Sequence, residues 1–458
     1  MAFDVAIAAH ARAPALAARA RQRLVALLDG SRRRSPLVRR MLDGRDPASV
    51  RLQDLPVMRK RELMAAFEDW VGDPEVESAR LRQFLADPTH IAEPYVGRYV
   101  AWESSGSSGE PAMFLQDAAA MAVYDALEAL RRPSRLGARQ WLDPWGLAET
   151  TVFIGAIDGH FASNVSIERL RRLNPLLRDR VRAISFLQPL DQLCRAVEAH
   201  SPSVVATYPT QAVLLAEECI AGRLKIAPRE IWTGGETLTP AMRRVVQEAF
   251  GCPVLNSYGS SEFLAIASDC AHGRLHLNGD WVILEPVDAQ GRAVPAGTAG
   301  DTTLLTNLAN HAQPLVRYDI GDRVTIDPAP CPCGSHLPAI EVQGRCDDII
   351  RVPGTHGRRV TLLPLAIGTL LEEEAGLFDF QVVQRAPAHL ELRSGLGAAA
   401  AEPLLRRARG ALAGYLARQG ARAVHIGCHP GEPMCVGRSG KIPRIVASPP
   451  ARGASIAR

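Results

Sequence analysis

The chain has 458 residues, 47% of them hydrophobic and 22% charged. That is the balance of a soluble globular protein and excludes a disordered one, and the length suits a large domain with a smaller companion. Lys plus Arg total 53 and Asp plus Glu 49, a net charge of +4, too weak over this length to imply a nucleic-acid partner.

The basic residues are divided unevenly. Lysine stands only at Lys60, Lys225 and Lys441, so 53 − 3 = 50 are arginines. Arginine replaces lysine well on a surface but poorly where a compact ammonium is needed, which draws attention to each lysine kept. There are nine cysteines, and the helical N-terminus has its apolar stretches broken by Asp4, His10 and arginines. A cytoplasmic protein with free or metal-bound thiols and no membrane span is expected.

Residues 1 to about 95 read as helices and loops. The basic run Arg32-Arg33-Arg34 with Arg39 and Arg40 reads as a solvated helix end, because no aromatics interleave with it. From Tyr99 strands and helices alternate. Strands are expected at Tyr99–Glu103, Thr151–Gly155, Val181–Phe186, Ser203–Thr207, Glu230–Thr233 and Val254–Ser257. Helices are expected at Ala118–Leu130, Pro189–Ala199, Gln211–Ala221 and Pro240–Phe250. That rhythm predicts an α/β fold with a mostly parallel sheet. Trp281–Ile326 turns to short strands with glycine turns, expected to be antiparallel and barrel-like. A small, mobile α+β unit follows Gly344, with a helix from Leu363 and another from Pro403. The expected domains are 1–345 and 346–458.

Six short motifs carry chemistry. Ser104-Ser105-Gly106-Ser107-Ser108-Gly109 follows a strand, and its amides and hydroxyls can surround phosphate oxygens. Thr233-Gly234-Gly235-Glu236-Thr237 and Asn256-Ser257-Tyr258-Gly259-Ser260-Ser261-Glu262 both fall at the carboxyl edge of the sheet, where open α/β sheets bind ligands. In Arg317-Tyr318-Asp319-Ile320-Gly321-Asp322, a carboxylate on a turn can hold ribose hydroxyls. Gly344-Arg345-Cys346-Asp347-Asp348 lies at the domain boundary, and Arg438-Ser439-Gly440-Lys441-Ile442-Pro443 near the C-terminus. Each alone is also compatible with an ordinary turn or flexible connection.

In order and spacing, together with Ser35-Pro36-Leu37-Val38-Arg39 and Leu55-Pro56-Val57-Met58-Arg59-Lys60, these motifs resemble the adenylate-forming superfamily of acyl- and aryl-CoA synthetases, and within it the phenylacetate–CoA ligase family. The resemblance runs from about Ser35 to Lys441. It implies attack of a carboxylate on the α-phosphate of Mg-ATP, then displacement of AMP by a thiol, usually of coenzyme A. It places Ser104 to Gly109 on the phosphates, and Gly235, Glu236, Thr237, Ser257, Tyr258 and Gly259 around the nucleotide. It places Ser261 at the α-phosphate, Glu262 on Mg²⁺, Asp322 on the ribose and Arg345 nearby. Asp347 would be the hinge and Lys441 the catalytic bridge between carboxylate and phosphate.

The sequence departs from that pattern in three places. A basic residue common after the Ser/Gly loop is absent from Glu110-Pro111-Ala112. Asp319 stands where an arginine is common, with Arg317 as a candidate to compensate. Pro353-Gly354-Thr355-His356-Gly357-Arg358-Arg359 replaces a short turn, which leaves the thiol acceptor open.

Cys270 and His276, with Cys331 and Cys333, form two short pairs far apart in sequence. Their spacing leaves structural Zn²⁺ and buried free thiols both open, with His272 as a competing imidazole. The resemblance favours zinc. Cys194, Cys219, Cys252, Cys428 and Cys435 read as small core residues.

The acid pocket is expected around Gly159, His160, Phe161, Tyr208 and Gly234, suited to a flat aromatic acid, with His160 either pairing with the carboxylate or structural. The expected enzyme is an aryl-CoA ligase using ATP, Mg²⁺ and coenzyme A, monomeric or homodimeric. The alternatives are an adenylating enzyme that serves a carrier-protein thiol or an amine, and a non-catalytic nucleotide-binding homologue.

Overall fold

The structure is a computed structural model. It describes residues 1–104, 111–132, 149–236, 238, 240–342, 350–355, 358–362, 364–377, 380–432, 434 and 445–447. The chain forms two compact units: Met1–Ser104, Ala112–Ser185 and Cys194–Arg345 in the first, and Ser105–Pro111, Phe186–Leu193 and Cys346–Arg458 in the second.

In the first unit, β1 (Val100–Glu103) pairs antiparallel with β2 (Met113–Gln116). The main sheet has nine strands. Its parallel half is β3 (Thr151–Gly155), β4 (Val181–Ser185), β5 (Val204–Thr207), β6 (Glu230–Thr233) and β7 (Val254–Tyr258). Its antiparallel half adds β8 (Ala267–Asp269), β9 (Leu275–Leu277), and then β13 (Val324–Asp327) and β14 (Ala339–Val342). Between them in sequence, β10 (Val282–Val287), β11 (Thr302–Asn307) and β12 (Tyr318–Asp319) form a separate three-stranded antiparallel sheet. The barrel-like region expected from the sequence is therefore antiparallel, but it forms no closed barrel among the described residues.

Strand order is β13-β14-β9-β8-β7-β6-β5-β3-β4. The chain leaves β3 for the edge strand β4 and returns as β5 on the other side of β3. Order reverses there, and such a reversal opens a crevice at the carboxyl ends of the strands. The parallel strands are short and apolar because both faces are covered. Val152, Ile154, Val205 and Ile231, for example, are at most 1% exposed.

Local chemistry sets the helix ends. Asp117 caps Ala118–Arg131 by accepting from the Ala120 N–H at 2.8 Å, and Ser35 caps Pro36–Leu42 in the same way through Val38. Pro209 opens Pro209–Ile220, where its missing N–H costs nothing. The N-terminal helix Ala13–Arg34 buries Leu24, Leu27 and Leu28. It is also fastened by charge: the fully buried Asp280 carboxylate receives Arg131 at 2.6 Å and Arg23 at 3.1 Å. Two arginines therefore share the compensation of one buried charge, which would be left uncompensated only if both were removed.

The second unit has its own core. β15 (Ile350–Pro353) pairs with β16 (Arg359–Leu362). A four-stranded sheet runs β19-β18-β17-β20, from β17 (Gln381–Ala386), β18 (His389–Ser394), β19 (His425–Pro430) and β20 (Ile445–Val446). Helices Pro364–Ala375 and Ala398–Arg418 pack on each other, burying Ile367, Leu370, Leu405 and Leu412. The longer helix starts five residues before Pro403, which lies inside it.

No described helix is long and apolar enough to cross a membrane.

Candidate functional site

The loops after β3, β5, β6 and β7 share the carboxyl edge of the parallel strands, and their residues form a continuous row. Tyr208 follows β5, and a Cβ added to Gly235 would lie 3.0 Å from its ring. A Cβ on Gly234 would lie 2.9 Å from Ser257 Oγ. These two glycines let the β5, β6 and β7 loops pack backbone against side chain. Ser257 Oγ donates to the Thr233 carbonyl at 3.3 Å, and Thr233 Oγ1 to Asn256 Oδ1 at 3.0 Å. At the end of β7 the Tyr258 hydroxyl donates to Asp322 Oδ2 at 2.8 Å. Gly259 is needed sterically, because a Cβ there would come within 1.9 Å of the Leu264 carbonyl oxygen.

Glu262 is partly buried with its carboxyl desolvated. Burial raises its pKa and the Asp322 charge adds to the rise, against opposing hydrogen bonds that include those from Ser260 and Tyr318. Two nearby carboxylates, one held in a poorly solvated position, are a donor set suited to a hard divalent cation. Burial also pushes the Tyr208 hydroxyl up to about 12, so it stays protonated and able to donate.

At the start of the Ser/Gly motif, Ser104 and Ala112 close the loop base. Ser104 N–H donates to the Ala112 carbonyl, and Ser104 Oγ accepts from Ala112 N–H, both at 2.8 Å. Ser105, Gly106, Ser107, Ser108 and Gly109 lie outside the described residues, as do Thr237, Arg345, Asp347, Cys435 and Lys441.

The loop of Gly159, His160 and Phe161, where the sequence leads one to expect the acid pocket, is tied to this strand, since Glu103 N–H donates to the His160 carbonyl at 2.9 Å. His160 is 1% exposed, its Nε2 lies 3.0 Å from the Asp87 carbonyl, and its ring packs on Phe84. Burial lowers its pKa. Burial and the contact with a backbone carbonyl favour a structural role for this imidazole over a partner for a substrate carboxylate. Asn164, which the sequence did not single out, shapes the loop by donating to the Ile157 and Gly159 carbonyls at 2.8 and 3.0 Å. Beside it a cavity of about 400 Å³ is lined by residues that include Ile157, Thr89 and Arg182.

Arg317 does not replace the arginine missing at Asp319. It has φ +51° and is 4% exposed. Its guanidinium goes to Glu285, the Gln53 and Leu55 carbonyls and the Gly291 carbonyl. Asp319 Oδ1 instead accepts from Thr302 Oγ1 at 2.6 Å and from Gly321 N–H at 2.9 Å, shaping the turn that carries Asp322.

At the antiparallel end of the main sheet the structure brings Cys270, His276, Cys331 and Cys333 together, with all ligand atoms within 4.8 Å of one another. Cys270 directly follows β8 and His276 lies on β9. Gly334, at φ +79°, lets the Cys331–Cys333 turn fold back to bond the Cys331 carbonyl. Cys270 Sγ lies 3.8 Å from Cys331 Sγ, matching the edge of about 3.8 Å in a tetrahedron with 2.3 Å zinc–sulfur bonds. His276 Nδ1 is 2.8 Å from the Leu337 carbonyl, which fixes the proton there and leaves Nε2 facing Cys333 Sγ at 3.3 Å. Burial opposes ionisation of Cys331, but the Cys333 N–H and the facing Cys333, His276 and Cys270 side chains outweigh it, lowering its pKa to about 7. Three thiols and an imidazole so arranged fit Zn²⁺. The imidazole in the cluster is that of His276, not of His272.

Residues 181–301 match the AMP-binding enzyme family. The chain is 30% identical over 171 residues to a phenylacetate-coenzyme A ligase of Thermus thermophilus, covering 35% of this chain and 38% of the relative. It is 26% identical over 173 residues to a Pseudomonas putida protein of the same name, covering 34% of this chain and 36% of the relative. These matches therefore span less than two-fifths of the relatives' length. Over 93% of this chain and 88% of the other, the fold resembles 2-hydroxyisobutyryl-CoA ligase solved with 2-HIB-AMP and CoA, with a TM-score of 0.57 at 21% identity. The chain thus carries a segment that matches the AMP-binding enzyme family, a partial likeness to phenylacetate-coenzyme A ligases, and a fold like that of an acyl-CoA ligase.

Proposed function

We propose that the protein is an AMP-forming acid–CoA ligase that activates an aromatic carboxylic acid. The observation that carries this reading is the convergence of Tyr258, Asp322 and Glu262 at the carboxyl edge of the sheet, with Tyr258 bonded to Asp322 at 2.8 Å. Gly235, Glu236, Thr237, Ser257, Tyr258 and Gly259 frame the nucleotide, and Asp322 takes the ribose hydroxyls. The serines and glycines from Ser104 to Gly109 hold the phosphates, and Arg345 lies near the nucleotide. Ser261 donates to the α-phosphate. Glu262 would hold Mg²⁺, which neutralises charge on the triphosphate when bound.

The acid enters where the β3 and β5 loops adjoin, beside Gly159, Phe161, Tyr208 and Gly234. Its carboxylate oxygen attacks the α-phosphorus, and pyrophosphate leaves. Lys441 steadies charge on both groups as the bond forms. The small domain then turns about Asp347, and the coenzyme A thiolate displaces AMP from the acyl carbon. Cys270, His276, Cys331 and Cys333 would hold a structural Zn²⁺ that pins the antiparallel strands. The free cysteines among the described residues suit a reducing, cytoplasmic setting.

Pyrophosphate release measured across aromatic and aliphatic acids, with and without coenzyme A, tests this reading. Acid-dependent release that is strongest with arylacetates or benzoates is expected, with thioester formed once coenzyme A is added. Thioester formation only with aliphatic acids would overturn the aromatic assignment. Release with no thioester would point to a carrier-protein thiol or an amine as acceptor.

A further inference from the structure

The Ser261–Glu262 turn is gripped by two side chains that lie outside its motif. Trp102 Nε1 donates to the Ser261 carbonyl at 2.9 Å, and Asn307 Nδ2 donates to the Glu262 carbonyl at 2.8 Å. Trp102 and Asn307 are each 0% exposed. Trp102 stands on β1, two residues before Ser104, and Asn307 ends β11.

Asn307 is itself locked. Its Nδ2 also donates to the Tyr124 hydroxyl at 2.9 Å, and that hydroxyl donates to Gln116 Oε1 at 3.0 Å. Its Oδ1 accepts from the backbone N–H groups of Ala309 and Asn310 at 2.9 and 3.1 Å. The amide therefore cannot rotate without breaking several bonds at once. Within the turn, Ser260 N–H donates to the Phe263 carbonyl at 3.0 Å, and Phe263, 0% exposed, fixes the turn from below. With two successive carbonyls held, the peptide planes on both sides of the Glu262 Cα are oriented, and so is its Cα–Cβ bond.

We propose that Trp102 and Asn307 are positioning residues that aim the Glu262 carboxylate at the nucleotide. The proposal rests on the nucleotide role given to Glu262 above. A turn with either carbonyl released can swivel, and small misplacements of a catalytic group cost rate more than binding.

Two variants remove the donors. Trp102→Phe keeps an aromatic ring in place, and Asn307→Asp keeps the acceptor for Ala309 and Asn310. Trp70→Phe is the matched control. Trp70 is also 0% exposed, and its Nε1 donates to the Pro314 carbonyl at 2.6 Å, outside the turn. The readouts are amide hydrogen exchange of residues 258–264 and acid-dependent ATP–pyrophosphate exchange.

Both test variants should speed amide exchange in the turn by about tenfold. They should lower kcat by about tenfold or more, with KM for ATP changed less than about threefold. Trp70→Phe should leave both readouts near wild type, although it loses a bond of the same kind. Unchanged amide exchange in the turn, unchanged kcat despite a loosened turn, or an equal loss of kcat in Trp70→Phe would overturn the proposal. Should Asn307→Asp fail to fold, Trp102→Phe carries the same test. A wild-type protein without ATP–pyrophosphate exchange would defeat the ligase reading, while amide exchange would still decide whether the two side chains hold the turn.

Discussion

The Tyr258 hydroxyl donates to Asp322 Oδ2 across 2.8 Å and joins the end of β7 to a turn 64 residues further along the chain. The bond fixes where the Asp322 carboxylate, proposed above to take the ribose, can stand, and it makes a tyrosine on the parallel sheet responsible for a residue outside it.

Tyr258→Phe removes that bond while keeping the ring. The freed Asp322 should bind nucleotide less well, raising KM for ATP by about tenfold, the scale of a lost hydrogen bond to a charged group. The turnover number should change much less. Steady-state kinetics at varied ATP check this, and an unchanged KM would show that Asp322 is held by its own turn alone.

Glu262 should show a conflict between activity and stability. Its carboxyl pKa is raised from 4.5, first by burial, so the folded chain holds this proton more tightly than the unfolded chain. Stability is then lost as pH rises from 4.5 through the raised value, and the loss is complete above it. Glu262→Gln should melt higher than wild type at pH 7.5, with the gap closing toward pH 4. Adenylation should meanwhile fall by about tenfold or more if the carboxylate holds the metal. Calorimetric melting of both proteins across this range checks the sign. A variant that melts lower at pH 7.5 would contradict it.

The cluster of Cys270, His276, Cys331 and Cys333 should carry about one zinc per chain by elemental analysis, as a four-ligand structural site requires. Cys331→Ser should lose zinc and melt several degrees lower, since bound metal stabilises only the folded state. Folded variant should still form adenylate. A metal-free protein of undiminished stability would sink the zinc site.

Lys441 should matter to the first half-reaction and little to the second. Lys441→Ala and Lys441→Arg should both slow adenylation by about a hundredfold, because a planar guanidinium does not reproduce a compact ammonium. A supplied acyl adenylate should still be converted to thioester. Adenylation by Lys441→Arg at the wild-type rate would show that the residue supplies no specific contact.

The parallel half of the main sheet was legible because its strands are short apolar runs between helices with proline or acidic starts. Glu230–Thr233 and Pro240–Phe250 form with the bounds their sequence predicts. β2 was not legible, since Met113–Gln116 shows no alternation: all four residues are buried. Pro403 was misleading as a helix start, because an alanine-rich stretch before it continues the helix N-terminally. The gathering of Cys270, His276, Cys331 and Cys333 was foreshadowed by two short Cys and His pairs, although their spacing alone left zinc and free thiols both open. The grip on Glu262 could not, because Trp102 and Asn307 act on backbone carbonyls 159 and 45 residues away. A carbonyl leaves no mark in side-chain sequence.

Acid labelled with ¹⁸O in its carboxylate offers the most direct measurement, with phenylacetate and benzoate as first probes. Turnover with ATP and coenzyme A, followed by mass spectrometry of the nucleotide, reports which phosphorus the acid attacks. Attack on the α-phosphate predicts AMP carrying one ¹⁸O, with unlabelled pyrophosphate. Label in inorganic phosphate, with ADP as the nucleotide product, would contradict adenylate formation by this protein.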